Sequence, residues 1–198
     1  MKPVRLWSLA LLFFALHLGA CAPLITQNPN EGLRPVNVKD VGGVSRLLLD
    51  GHDVVAYFTD GRERKGAAAH ASVFKGVTLH FVNAENKAKF DSAPLAYFPQ
   101  YGGFCANGVV YGIPWGGDAD AWRIVNDKLY IFGGQGSRKG FELDLAGNIK
   151  LADEYWKNEV SGSNAFFQRS KRMIFRVPHY KSGGELAALV AAKEKAGN

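Results

Sequence analysis

The first twenty-one residues decide where this chain folds. Lys2 and Arg5 precede an apolar run from Leu6 to Leu18, with Leu9, Leu11, Leu12, Phe13, Phe14 and Leu16, and then come Gly19-Ala20-Cys21. A positive start, an apolar middle and small residues before a cut are the three parts of a secretory signal. The run is shorter than the roughly 20 residues that span a bilayer comfortably, so it reads as a removed leader rather than a transmembrane helix. Beyond it, an apolar fraction of 47% and an aromatic fraction of 12% suffice for a hydrophobic core. The net charge of +6 includes Lys2 and Arg5, so the chain without its leader carries +4, too mild a surplus to imply a nucleic-acid partner.

Leu18-Gly19-Ala20-Cys21 resembles the lipobox of bacterial lipoproteins. That resemblance implies that the Cys21 thiol is diacylated and becomes the new N-terminus. Acyl chains contribute ~0.8 kcal/mol per buried methylene, so two or more hold a protein to a membrane where one does not. Ala22 stands where an inner-membrane retention signal would have Asp, which favours the outer membrane, facing the periplasm. With Cys21 acylated, Cys105 has no intramolecular partner in a compartment that favours disulfides. Such a thiol is either buried and inert or functional.

Residues 22–43 are rich in Pro, Asn and Gly without periodicity and read as a flexible tether. A domain is expected over 44–160. Val54 to Phe58 reads as a short buried strand, and Val73 to Phe81 as a hairpin broken at Gly76. Asn83 is a helix cap for Ala84 to Ser92, and Pro94 opens a second short helix. Trp122 to Phe132 forms a hairpin around Asn126-Asp127. Phe141, Leu145, Ile149, Ala152, Trp156 and Val160 follow a helical step, with a break expected at Gly147-Asn148. The fold class is α+β: a small antiparallel sheet of hairpins with short helices packed against it. Residues 161–198 form a basic C-terminal extension. Arg169, Lys171, Arg172, Arg176 and Lys181 are interleaved with Phe166, Phe167, Ile174, Phe175 and Tyr180, without an acid, before a helix over Leu186 to Ala196. The stretch 166–181 suits a contact surface for anionic lipid or an envelope protein partner, or an edge strand with a solvated basic face.

Gly51-His52-Asp53-Val54-Val55-Ala56-Tyr57-Phe58, His80-Phe81 with Asn86 and Phe90, and Gln100-Tyr101-Gly102-Gly103-Phe104-Cys105-Ala106 carry a further likeness. With Ala121-Trp122-Arg123-Ile124-Val125, Asp153 and Trp156 in the same order, the chain from Asp50 to Trp156 resembles the YHS domain family in its stand-alone exported bacterial form. The resemblance implies a compact α+β domain, often linked to heavy metals, and supplies no enzymatic activity. Members fused to metal-handling proteins carry two cysteines, four apart, where this chain has Val82 and Asn86. A thiolate pair is what selects a soft ion, so that site is absent.

Cys105 is the remaining candidate, in a turn rich in glycine and aromatic residues, with His80 or His52 to complete a site for a transition metal such as copper or zinc. A small buried hydrophobe is the alternative for Cys105, and surface or capping roles for the two histidines. His70 and His179 have weaker claims. Cys105 with a histidine and Asp53 or Asp118 would in principle form a thiol-enzyme arrangement, yet no nucleophile signature, HExxH, P-loop or GxGxxG motif is present. The expectation is therefore a non-enzymatic, lipid-anchored binding module that holds a metal ion or small ligand near Cys105. The alternative is an envelope lipoprotein that docks through its basic-aromatic C-terminal segment.

Overall fold

The computed structural model describes residues 35–197; the leader, Cys21 and the stretch 22–34 lie outside the described residues. The class is α+β. Strands β1 (Val38–Val41), β2 (Val44–Leu48), β3 (Ala67–Phe74) and β4 (Val77–Phe81) form one sheet in the order β1-β2-β4-β3. Two of its pairings are antiparallel, as hairpins dictate, but β2 and β4 run parallel, with Leu47 opposite Thr78. The sheet is thus mixed rather than antiparallel throughout. The β3–β4 turn uses Lys75 and Gly76, both in the left-handed region, which gives the twist a two-residue hairpin needs.

Val54 to Phe58 is not a strand. Val54 and Val55 are fully buried, and the chain turns into a short helix, α1 (Ala56–Thr59). Periodicity cannot separate a buried strand from a buried helical turn in so short a run. Asp53 decides it, because its Oδ1 accepts hydrogen bonds from the backbone N–H of Val55 and Ala56. Helices α2 (Ala84–Ser92, capped by Asn83) and α3 (Pro94–Tyr97) follow as the caps predict. A left-handed turn over Tyr101, Gly102 and Gly103 then leads to α4 (Ala106–Val109).

A second hairpin, β5 (Asp118–Val125) and β6 (Lys128–Phe132), turns at Asn126-Asp127. β6 divides the core. Its alternating side chains send Leu129 and Ile131 toward the first sheet and α2, and Tyr130 and Phe132 toward Phe104, Val109 and Phe141. Helices α5 (Gln135–Glu142) and α6 (Leu145–Tyr155) close the second half, and a wider π-turn continues α6 to Val160. The break between them falls at Leu143-Asp144, not at Gly147-Asn148. Asp144 caps α6 by accepting from Gly147 N–H, and a Cβ at Gly147 would collide with that carboxylate.

Both ends of the domain reach further than composition suggests. Val36 and Val38 are buried, and Asn37 N–H donates to Gly102 O at 2.8 Å, so the segment read as tether joins the fold by residue 35. A Cβ at Gly102 would stand 2.6 Å from Pro35 O, so this approach requires glycine. At the other end the basic stretch is no edge strand. It forms α7 (Ala165–Ile174) and then α8 (Gly183–Ala196), which begins at a Ser182–Glu185 capping box. Leu186 of α8 packs over Gly140 of α5, and Lys139 pairs with Glu194 at 2.8 Å, so 161–197 is part of the domain.

Candidate functional site

Cys105 sits at the start of α4, with its N–H donating to Trp115 O at 2.9 Å and a backbone bridge to Ile131. It is 2% exposed and forms no disulfide. Its neighbours include Phe104, Phe132 and Phe141, and its Sγ lies against Gly133. Burial pushes the thiol pKa up, and hydrogen bonds from the backbone of Gly108, Gly133 and Asn107 and from the Ser137 hydroxyl only partly offset this. A neutral, enclosed thiol behaves as a small hydrophobe, whereas nucleophilic or ligating work uses the thiolate.

The two histidines belong to the other half of the molecule. His80 is buried on β4 with its Nδ1 against Gly51, and burial together with the nearby Lys65 ammonium lowers its pKa. His52 directs Nδ1 to Leu49 O at 2.8 Å. Among the described residues no three His, Cys, Asp or Glu side chains gather in a way that could hold a metal ion, and Cys105 packs in a different cluster from the sheet that carries His80. Cys21 lies outside the described residues.

The place where the resemblance would put a thiolate pair is filled by a different arrangement. Asp53 is fully buried, and its Oδ2 accepts from Val82 N–H at 2.9 Å and from the Asn86 side-chain amide at 2.8 Å. With Val55 and Ala56 on Oδ1, the carboxylate joins the first helical turn, the end of β4 and α2. Asn86 is there a structural donor, and each Asp53 oxygen accepts two hydrogen bonds. Asp118, the other acid considered beside Cys105, is exposed at the start of β5.

The feature that stands out chemically is α7. Asn164 caps it by accepting from the N–H groups of Phe166 and Phe167. Successive residues step about 100° around a helix, which places Ala165, Gln168, Arg169 and Arg172 on one side and Phe166, Phe167, Met173 and Ile174 on the other. The polar side faces inward. Gln168 is buried and donates to Gly112 O at 2.9 Å, and Arg169 donates to Pro114 O at 2.8 Å. Arg172, Lys171 and Gln168 all donate to Glu159 on the π-turn. Burial pulls the Glu159 pKa up, but these donors together outweigh it and hold the carboxyl below its ordinary value.

The outward side is apolar: Phe166 is 41% exposed, Phe167 69%, Met173 56% and Ile174 73%, and Phe175 just beyond the helix is 67%. Ordinary surface helices bury the apolar side, so α7 has its amphipathic pattern inverted. Lys171, Arg176 and Lys181 of the same stretch are also exposed. The signal was legible as an N-cap followed by apolar pairs seven residues apart, 166–167 and 173–174, which is a helical step. Reading the stretch as basic and aromatic by composition alone hid it.

Compared with protein-family models, curated proteins and solved structures, the chain matches none. No helix among the described residues is long and apolar enough to cross a membrane.

Proposed function

We propose that this chain is an exported lipoprotein, anchored by acylated Cys21 to the outer membrane and facing the periplasm, whose YHS-like domain works by docking onto an envelope component rather than by catalysis. The observation that carries this reading is the outward apolar face of α7, with Phe167, Ile174 and Phe175 each more than 60% exposed. Monomeric soluble domains rarely leave large contiguous apolar patches in water, and those that do use them for contact. The docking reading is preferred to a metal or ligand held at Cys105, because that thiol is enclosed and neutral.

A photo-crosslinking residue at position 174, compared with one at the equally exposed Val73 on β3, tests it in intact envelopes. Docking predicts adducts, to protein or to lipid, from 174 and none from 73. Equal yields from both positions, or none from 174, would remove the reading.

A further inference from the structure

We propose that α7 lies on the anionic headgroup surface of the same bilayer that holds the Cys21 anchor; this rests on the docking reading above and names the docking partner. Charge is the first argument. Residues 161–181 contain five Lys or Arg and no Asp or Glu. Lys171, Arg176 and Lys181 are exposed; Lys171 pairs with Glu159, and Arg176 stacks over Tyr180 at 4.6 Å. An exposed apolar helix face in a segment rich in cations and free of acids is the pattern of a helix lying in a membrane interface, apolar side down. A protein partner able to use this face would have to bring its own acids to a single convex helix.

The second argument is where the anchor leaves the domain. Pro35, the first described residue, lines a cleft of about 210 Å³ together with Val36, Trp156 and Ser161. Ser161 lies four residues before α7 begins at Ala165. The chain to the lipid therefore departs beside the segment that leads into α7. From Cys21 to Pro35 there are fourteen residue steps, which cannot exceed ~50 Å even fully extended. A short connection starting on this side holds the α7 face at high effective concentration near the bilayer, so a weak contact suffices.

The third argument is how α7 is fixed. Its inward side is held by Gln168 to Gly112 and by Arg172 to Glu159, polar contacts that leave the whole apolar stripe free for another medium. A helix evolved only to cover the domain would bury Phe167 and Ile174 there instead.

The test uses the acylated protein in vesicles of zwitterionic lipid with and without anionic lipid. Because Cys105 is buried and Cys21 acylated in this reading, an Ile174→Cys substitution provides the accessible thiol for an environment-sensitive NBD label, with Val73→Cys as its control. Aqueous dithionite reduces only label exposed to water. In anionic vesicles the label at 174 should be reduced at least tenfold more slowly than at 73. Phe167→Ser with Phe175→Ser should abolish that protection, and Arg176→Gln or Lys181→Gln should each weaken docking about fivefold. All these side chains are exposed, so unchanged circular dichroism is the folding control.

Equal rates at 174 and 73 on anionic vesicles would overturn the lipid assignment. If position 174 nonetheless crosslinks to one envelope protein, docking stands and its partner is a protein. If neither vesicle protection nor crosslinking is seen, both readings fall.

Discussion

His80 is buried with Lys65 nearby, and burial first and that cation second hold its pKa below the ordinary imidazole value. The unfolded chain, with His near pH 6.5, then binds the proton more readily than the folded one. Stability is level above about pH 6.5 and declines as pH falls below it toward the lower folded value. Urea midpoints should drop across that window, and His80→Gln should flatten the decline; an unchanged slope would show that other groups titrate. Asp53 makes a sharper case. Its two oxygens accept from Val55, Ala56, Val82 and Asn86, all donors. Asp53→Asn turns one acceptor into a donor facing donors, and a buried unsatisfied group costs about 1–3 kcal/mol. The substitution should lower unfolding free energy by about 1–3 kcal/mol, measured by denaturant titration. Cys105 should react with a thiol reagent only on the timescale of unfolding, since it is 2% exposed and its pKa is raised.

Among the elements, α7 separates stability from docking. Gln168 donates to the Gly112 carbonyl from the buried side, so Gln168→Leu should destabilise the domain by about 1–3 kcal/mol. Phe167 is mostly exposed, with an edge contact to Phe166, so Phe167→Ser should change stability by no more than about 0.5 kcal/mol while impairing docking. Paired denaturation and crosslinking measurements check both halves of this contrast. The elements also show what sequence can carry. Helix α2 was legible from Asn83, α3 from Pro94 and the 122–132 hairpin from Asn126-Asp127, because each boundary is set by a local side chain or turn. The run 54–58 was not, because Asp53 acts through hydrogen bonds that also depend on Val82 and Asn86 far along the chain. Nor was the break at Asp144, where glycine serves the cap instead of ending a helix. For the candidate site, the composition of 166–181 pointed to contact chemistry, but its orientation depended on Gly112, Pro114 and Glu159, which only the folded chain brings beneath α7.

At the scale of the molecule, the two ends of the domain are linked in purpose. The segment entering at Pro35 is pinned to Gly102 and Gly103 through Asn37, and the same corner reaches Trp156 and Ser161 just before α7. In the proposed reading the anchor thereby departs beside the segment that leads into α7; the C-terminal helices are secured to the core by Leu186 over Gly140. The parallel pairing of β2 with β4 and the division of the core by β6 were not readable from sequence, since both depend on which distant segments meet.

Hydrogen exchange on the acylated protein, on membranes and in solution with its acyl chains held in detergent, addresses the docking claim directly. The account predicts slowed exchange over residues 166–175 on membranes with β3 unchanged; identical exchange of 166–175 in both settings would contradict it.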